Sequence, residues 1–564
     1  ALEVALGALP IPKVMSYQLA DGWSTVNFVR PAHGLVALHG REVVPISVLG
    51  LQAGNSTRGH RFEAGIDPIV LANADSYAQQ LDTEGAVIAS FAARREEIER
   101  QLAAAAEKAG AQPIEDDALL DEVTGLVERP NVLVGQFEEA YLDVPQECLI
   151  LTMKANQKYF PLLDKDGQLT NKFLIVSNIK PADPSDVIGG NERVVRPRLA
   201  DAKFFFDQDR KKSLADRIPG LAKVVYHNKL GTQGERTQRV AEIASAIGAQ
   251  LGGETLANQA DQAALLAKAD LLTDMVGEFP ELQGIMGRYY ALHDGLPAEI
   301  ADAIEDHYKP RFAGDSLPRN RVGLVVALAD KLETLVGMFG IGLVPTGDKD
   351  PFALRRHALG VIRMLSTGDL DLPLDKLLAI AATAFDQVSE FKHGDAALAS
   401  FIYERLAGSL REQGYSAQEV DAALSLRPQR LADIPKRLAA VRAFAALPEA
   451  ASLAAANKRV GNILKKVGAG EAAKIDVALL KEAAEVALNT ALAQVKPRAD
   501  AAFNAGDYSA SLLALATLRE PVDQFFNDVM VNSEDAALRA NRLGLLAELH
   551  VAMNRIADLS KLSV

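Results

Sequence analysis

The chain contains very little cysteine and no long uninterrupted apolar run. Cys148 is its only cysteine among 564 residues, which excludes an intrachain disulfide and a zinc site built on cysteines. A helix that spans a bilayer needs roughly 18 or more apolar residues in succession, and no segment reaches that length. The first residues also lack the charged and apolar regions of a secretion signal. These absences predict a protein of a reducing compartment, the cytoplasm, without a membrane partner.

Aromatic residues and positive charge are also scarce. Aromatic residues make up 6% of the chain, and the formal net charge is −14. Such a charge argues against a protein that binds nucleic acid over its whole surface, although local clusters of lysine and arginine can still bind it. No Gly-x-x-x-x-Gly-Lys-Ser/Thr sequence occurs, and the glycines at 337, 340 and 342 are not followed by a strand–helix phosphate loop. A nucleotide-binding loop is therefore not expected.

Alanine and leucine, by contrast, are abundant, and both favour helices. The length corresponds to about four domains at the usual domain size. Strand-like runs occur in the N-terminal part, for example at 132–135, 149–153 and 173–176, whereas helical periodicity dominates from residue 219 onward. The predicted fold class is therefore α+β and multidomain. The predicted division is 1–75 mixed α/β, 76–115 a helical projection, 116–215 mixed α/β, 216–370 helical, 371–455 a helical body and 456–564 a helical bundle.

A loop that turns into a helix is marked clearly at residues 347–360. Asp350 suits an N-cap, whose carboxylate accepts hydrogen bonds from the first-turn amides, and Pro351 suits the first helical position. Arg355 and Arg356 then lie near the positive end of the helix dipole, which is unfavourable for cations without an anionic partner. We therefore assign Asp350, Arg355 and Arg356 a structural or interface role, with the arginines binding a carboxylate or a phosphate. The alternative is a surface helix with solvated arginines.

A basic segment rich in phenylalanine lies at 191–212. Arg193, Arg196 and Arg198 precede the consecutive phenylalanines at 204–206. Cations interleaved with aromatic rings are typical of nucleic-acid binding. The alternative places the phenylalanines in a core and pairs the cations with the neighbouring aspartates.

The region 219–340 resembles helical phosphohydrolases of the His-Asp type, which hold a metal with a His, an adjacent His-Asp pair and a distant Asp. The pair His293-Asp294 is present, but the Gly-Leu-Pro that follows it predicts a turn. The helix where the pair belongs carries Lys268 and Asp270 instead, and Asp330 resembles the distant Asp. Since a lysine adds positive charge and offers no lone pair to a metal, we interpret the region as degenerate. A working metal phosphohydrolase and the absence of any relationship are the alternatives.

Cations and amides also cluster in the C-terminal helical region. Lys458, Arg459 and Asn462 fall in one short run, and Arg519 and Arg542 lie in later helices. Lysine and arginine commonly contact phosphates, whereas asparagine and arginine can hydrogen-bond to unpaired bases. These residues are candidates for contact with RNA.

Several strings together resemble the β subunit of bacterial heterotetrameric glycine–tRNA ligase. They include Met-Lys-x-x-Gln-Lys-Tyr-Phe-Pro at 153–161, Val-Val-Arg-Pro-Arg-Leu-Ala-Asp-Ala at 194–202 and Asp-Lys-Asp-Pro-Phe-Ala-Leu-Arg-Arg at 348–356. The region from 457 to 543 resembles the anticodon-binding bundle of arginyl- and glycyl-type tRNA synthetases. The resemblance covers essentially the whole chain. Because subunits of this family carry further residues before the point matching Leu9, the chain is expected to be truncated at its N-terminus.

The resemblance implies a tRNA-binding subunit without catalytic residues of its own. In this family the smaller α subunit activates glycine, so ATP and Mg²⁺ are expected there, and no cofactor or metal is expected on this chain. The implied partners are the α subunit, in an α2β2 tetramer, and tRNA(Gly). The region 216–370 would be the degenerate His-Asp domain and 456–564 the anticodon-binding bundle.

The basic residues can then be divided between the two ends of the tRNA. The anticodon side is assigned to Lys458, Arg459, Asn462, Arg519 and Arg542. The acceptor side or the subunit interface is assigned to Arg193, Arg196 and Arg198. A metal phosphohydrolase and a non-catalytic tRNA-binding scaffold remain alternatives.

Overall fold

A computed structural model describes residues 2–11, 13–367, 370–467 and 474–563. The chain divides into two compact units, residues 1–209 and residues 210–564. Mixed strands and helices form the first unit, and the second is almost entirely helical. The predicted α+β, multidomain class is thus confirmed.

The N-terminal part of the first unit consists mainly of short strands. The elements are α1 (Leu2–Gly7), β1 (Met15–Gln18), β2 (Thr25–Phe28), β3 (Leu35–Val36), β4 (Leu38–His39), β5 (Glu42–Val43), β6 (Ser47–Val48), β7 (Leu51–Gly54), β8 (Ser56–Thr57), β9 (Ile69–Val70) and α2 (Tyr77–Thr83). Strands β1–β2, β4–β5 and β8–β9 form two-stranded sheets, and a three-stranded sheet has the order β3-β7-β6. Ile69, Leu71 and Leu81 form a small core in this part of the chain.

A four-stranded antiparallel sheet with helices completes the first unit. The elements are α3 (Phe91–Ala109), β10 (Gln112–Pro113), α4 (Asp117–Leu126), β11 (Asn131–Gln136), α5 (Gln146–Gln157), β12 (Phe160–Leu163), β13 (Leu169–Ser177) and α6 (Ser185–Asp209). The strand order is β10-β12-β13-β11. The predicted strands at 132–135 and 173–176 are confirmed, and they pair with each other, with Val132 opposite Val176.

Two expectations for this unit are wrong. The run 149–153 lies in helix α5, because short apolar runs do not distinguish a strand from a buried helix and Cys148 and Thr152 lie one turn apart on its buried side. The segment 76–115 does not project from the body. Helix α3 buries Ile98, Leu102 and Ala106 against α4 and the sheet.

In its described residues, the second unit contains one short hairpin and many helices. Its elements are α7 (Leu214–Arg217), β14 (Val225–His227), β15 (Gly231–Thr232), α8 (Gln233–Leu266), α9 (Asp274–Glu278), α10 (Ile285–His293), α11 (Ala298–Asp306), α12 (Arg321–Gly340), α13 (Leu354–Thr367), α14 (Leu374–Thr383), α15 (Asp395–Glu412), α16 (Ala417–Leu424), α17 (Ile434–Ala445), α18 (Ala450–Val467), α19 (Ala483–Asn504), α20 (Tyr508–Ala516), α21 (Arg519–Asp528) and α22 (Ala536–Met553). Helix α12 is buried along nearly its whole length and packs against α8, α11 and α13.

Helix α8 begins with side-chain hydrogen bonds to its first amides. The Glu235 amide donates to the Thr232 hydroxyl at 3.2 Å, and the Glu235 carboxylate accepts from the Thr232 amide at 2.7 Å, which is a capping box. The glycines at 252 and 253 bend this helix rather than end it, since Gly253 has a φ of +67° and the chain continues as a helix to Leu266.

The C-terminal helices enclose a core of their own. Leu453, Val460 and Phe525 are among its fully buried side chains. No single helix among the described residues is long and apolar enough to cross a membrane. The pair Leu431–Ala445 and Ala450–Lys466 satisfies length and composition together, but it is bent by 111°.

Candidate nucleic-acid interface

Helix α18 has one face in the bundle core and one basic face in solvent. The helix contains four cations and no acidic residue. Lys458, Asn462, Lys465 and Lys466 are exposed and lie at positions i, i+4, i+7 and i+8, so they share one side of the helix. We call these four residues the basic face of α18. Within the described part of the chain its lysines have no ion-pair partner.

A pair of hydrogen-bonded amides fixes the rotation of α18. The side chains of Asn457 and Asn554 exchange two hydrogen bonds, at 2.8 and 2.9 Å. Asn457 is only 2% exposed, and Asn554 is the C-cap of α22. Because both amides are satisfied by each other, α18 is held against the end of α22 with its lysines directed to solvent.

Helix α21 packs beside α18 and brings an aromatic ring to the surface. The Cζ atom of Arg459 lies 4.4 Å from the centre of the half-buried Phe526 ring. The Ser452 hydroxyl donates to Asp523 at 2.5 Å, which joins the same two helices. Arg519 is also exposed, but its Nε lies 3.6 Å from Asp523, so its charge is partly neutralised.

The assignment of Arg542 as a tRNA contact is wrong. Its side chain is 6% exposed and forms an ion pair with the fully buried carboxylate of Glu485. It also donates to the Met530 carbonyl at 2.7 Å. Glu485 in turn accepts from the amides of Lys481 and Glu482, at 2.7 and 2.8 Å. The guanidinium therefore ties α22 to the start of α19 and does not reach the surface.

The arginines predicted for the acceptor side or subunit interface lie on α6, in the first unit. All three are exposed. Arg196 donates to Glu138 at 2.6 Å, whereas Arg193 and Arg198 have no ion-pair partner among the described residues. The phenylalanines that follow them divide between core and surface, because Phe206 is 7% exposed and Phe204 is 57% exposed. Helix α6 therefore has exposed arginines that are unpaired in the part of the chain that the structure describes, as the nucleic-acid alternative predicts. It also has a buried phenylalanine and a salt-bridged arginine, as the alternative of a core with ion pairs predicts.

Asp350 accepts hydrogen bonds as an N-cap does, although the helix begins later than predicted. Its carboxylate accepts from the amides of Leu354 and Arg355, at 2.8 and 2.9 Å. Helix α13 starts at Leu354, and Pro351 lies in the preceding turn rather than at the first helical position. Ala353 has a φ of +54°, and this left-handed residue redirects the chain into the helix.

The two arginines of this helix start have different surroundings. Arg355 donates to the carbonyl of Gly347, and it has no carboxylate partner among the described residues, so a phosphate contact for it stays a prediction. Arg356 is exposed and lines a cavity of about 470 Å³ together with Arg363 and Glu412. Within the described residues Arg356 has no carboxylate partner, and a phosphate contact for it stays a prediction.

The residues compared with a His-Asp metal centre form a buried ion network. Asp330 accepts from Arg236 at 3.0 Å and lies 3.4 Å from the Lys268 ammonium. Burial would raise the pKa of Asp330, but the charges of Arg236 and Lys268 lower it below its usual range. Burial lowers the pKa of Lys268 to about 8. It also raises the pKa of Asp270 to about 6, although the Gly287 amide donates to that carboxylate at 3.0 Å.

This network does not suit a metal. The described residues contain no group of three or more His, Cys, Asp or Glu side chains placed to hold one. Two cations, Arg236 and Lys268, already compensate the Asp330 carboxylate. Asp294 of the His293-Asp294 pair accepts from the Leu214 amide at 2.8 Å, and a turn follows it. The donor set is therefore that of an internal salt-bridge cluster.

Comparison with known proteins places this chain in a family. The family model for the glycyl-tRNA synthetase beta subunit matches residues 1–425, and the model for the DALR anticodon binding domain matches residues 453–562. The glycine–tRNA ligase beta subunits of Dechloromonas aromatica (strain RCB) and Janthinobacterium sp. (strain Marseille) are 76% and 75% identical to this chain, over 569 and 565 residues. Each match covers 100% of this chain and 80% of the relative.

The chain belongs to the glycyl-tRNA synthetase beta subunit family. The basic face of α18 and the Arg459–Phe526 contact thus lie in an anticodon-binding domain. The predicted bundle at 456–564 closely coincides with the matched range 453–562, and its helical architecture is confirmed. The identity of the middle region as a degenerate His-Asp domain stays a prediction.

Sequence reasoning missed several residues that contribute to these sites. Phe526 was not selected because the sequence does not say which of Phe525 and Phe526 faces the core. The structure buries Phe525 completely and leaves Phe526 half-buried. Arg236 was also missed, although its position one residue after the capping-box Glu235 places it on the first turn of α8, where the side facing α12 is buried.

Proposed function

We propose that this chain binds tRNA(Gly) through its C-terminal bundle and acts as the beta subunit of a glycine–tRNA ligase. The glycyl-adenylate chemistry, with ATP and Mg²⁺, is assigned to the α subunit, and this chain binds no cofactor of its own. The observation that carries the proposal is the basic face of α18, whose lysines have no ion-pair partner among the described residues although the chain is acidic overall. Cations left unpaired on one helix face suit the phosphates of RNA.

The assembly that we propose is an α2β2 tetramer in the cytoplasm. Arg193, Arg196 and Arg198 would contact the acceptor side of the tRNA or the α subunit. On the anticodon side the proposal retains Lys458, Arg459 and Asn462, with Arg519 as a weaker contributor because Asp523 lies beside it.

Reconstitution tests the function directly. Glycylation of tRNA(Gly) is measured with the α subunit alone, this chain alone and both together, and we expect activity only from the mixture. Lys458→Ala with Lys465→Ala should raise the KM for tRNA while leaving the KM values for glycine and ATP unchanged. Equal glycylation with and without this chain would contradict the proposal and favour a non-catalytic scaffold.

The metal phosphohydrolase alternative is less well supported. Lys268 and Arg236 compensate Asp330 without a metal, and the described residues offer no ligand cluster. A phosphodiesterase assay with added Mn²⁺, together with metal analysis, would decide the matter. Stoichiometric metal and a turnover that is lost in Asp270→Ala would establish the alternative.

A further inference from the structure

The contact between Arg459 and Phe526 differs from an ordinary salt-bridged arginine. The guanidinium lies over the ring, with Cζ 4.4 Å from the ring centre. Phe526 itself is held by the bundle, because its ring is half-buried and packs against the bundle core. An aromatic face attracts a cation electrostatically. The ring therefore restrains the position of the guanidinium at the protein surface.

A second arginine in the same bundle provides a useful comparison. Arg555 lies over Phe503, with its Cζ 3.9 Å from the ring centre. Its guanidinium also forms an ion pair with Asp500 and donates to the Asn504 side chain at 3.1 Å. Arg459 has no hydrogen-bond or ion-pair partner among the described residues. It therefore keeps its hydrogen-bond donors and one side of its guanidinium available to a ligand.

The surroundings of Arg459 specify the class of ligand. Lys458 precedes it, and Lys465 and Lys466 lie about two turns further along the same helix. The exposed amides of Asn462 and Asn527 flank the contact in sequence on α18 and α21. Lysines that bind phosphates, amides that bind base edges and a planar cation on a ring together suit a single-stranded stretch of RNA.

We propose that the Arg459 guanidinium, supported by Phe526, is the platform on which one unpaired base of the tRNA anticodon loop stacks. The inference rests on the proposed function, because it assumes that tRNA binds this bundle. Unpaired bases stack on aromatic rings and on arginine planes in RNA-binding proteins. Stacking recognises the presence of a base more than its identity, so the neighbouring amides would supply any discrimination between bases.

Two conservative variants separate stacking from charge and from folding. Arg459→Lys keeps the positive charge but removes the planar group, and Phe526→Leu keeps apolar bulk but removes the ring. A stacked base contributes about 1–3 kcal/mol in related complexes, so each variant should weaken tRNA binding about 5- to 150-fold. The control is Arg555→Lys, which should leave the affinity for tRNA unchanged because Arg555 is already paired with Asp500.

The decisive measurement uses altered tRNA. Each anticodon-loop position in turn is made abasic, or replaced by 2-aminopurine, whose fluorescence is quenched by stacking. At one position of the loop, the abasic tRNA should bind wild type and Arg459→Lys with equal affinity. The fluorescence of 2-aminopurine at that same position should be quenched by wild type but not by the variant.

The outcomes distinguish this inference from the proposed function. If Arg459→Lys binds like wild type, or if its penalty persists with every abasic tRNA, the stacking platform is wrong. If in that case Lys458→Ala with Lys465→Ala still weakens binding, the proposed tRNA-binding function survives. If wild type itself does not bind tRNA, both fail. Should Phe526→Leu fail to fold, Arg459→Lys carries the test alone.

Discussion

At the scale of single residues, the stability of the middle of the second unit depends on arginine and lysine side chains that form ion pairs with buried carboxylates. Asp330 and Glu333 are 4% and 0% exposed, and Arg236 reaches both of them at 3.0 Å. Charges buried in this way cost free energy unless they are paired. The network is consequently sensitive to the loss of any one member.

Removing one carboxylate from the network should destabilise the second unit strongly. Asp330→Ala leaves Lys268 and part of the Arg236 charge uncompensated in the interior, and breaking a buried pair in this way costs about 3–5 kcal/mol. We expect a clear fall in the thermal unfolding midpoint, measured by calorimetry.

The matched control for this variant is an aspartate whose ion pair lies in solvent. Asp421 pairs with Arg411 at 3.1 Å with both side chains about half exposed, and exposed pairs contribute less than about 1 kcal/mol. Asp421→Ala should thus unfold close to wild type. Equal shifts for the two variants would show that the buried network does not stabilise the fold.

Asp270 should make stability depend on pH. Burial raises its pKa from 3.8 to about 6, so the folded state binds its proton more tightly than the unfolded state. The resulting stabilisation is complete below pH 4 and is lost as the pH rises through 6, a change of about 3 kcal/mol at about 1.4 kcal/mol per pKa unit. Asp270→Asn cannot titrate at this position. The unfolding midpoint of wild type, measured relative to that of the variant, should therefore fall from pH 4 to pH 7. A difference that does not vary with pH would contradict this account.

At the scale of elements, the start of α13 offers a test of helix capping. Asp350→Ala removes the acceptor of two first-turn amides and should cost about 1 kcal/mol. Ala353→Gly should shift stability the other way, because an L-residue at φ +54° carries a strain of about 1–2 kcal/mol. Asp348→Ala, at an exposed position of the same loop, is the control. Thermal unfolding of the three variants would contradict the capping role if Asp350→Ala and Asp348→Ala behaved alike.

The elements also show how far sequence reasoning reaches. The capping box at Thr232 and Glu235 was predictable because it depends on residues three apart in one helix. The start of α13 was predicted too early in the chain, because nothing in the sequence indicates that Ala353 has a left-handed backbone conformation. The interior position of Arg542 was not predictable, since its partner Glu485 lies in another helix. Basic residues on α18 were recognised, but the ring that supports Arg459 comes from α21, and only tertiary packing brings the two together.

At the scale of the whole molecule, the distribution of charge decides where RNA can bind. The chain carries a net charge of −14, whereas α18 carries four cations and no acidic residue. Nucleic acid is repelled by most of an acidic surface and attracted to a local basic patch. The helix should therefore account for a disproportionate share of the electrostatic attraction between this chain and tRNA.

The salt dependence of tRNA binding tests this directly. Each phosphate contact contributes about 0.7–0.9 to the slope of log affinity against log salt, so Lys465→Ala with Lys466→Ala should reduce that slope by about 1.4–1.8. The control removes the same charge elsewhere, with Lys376→Ala and Lys436→Ala, two exposed lysines on α14 and α17. That variant changes net charge equally but should leave the slope within about 0.5 of wild type, because neither lysine belongs to the basic face of α18. Equal slopes for both double variants would mean that net charge, rather than the basic face of α18, governs the encounter with tRNA.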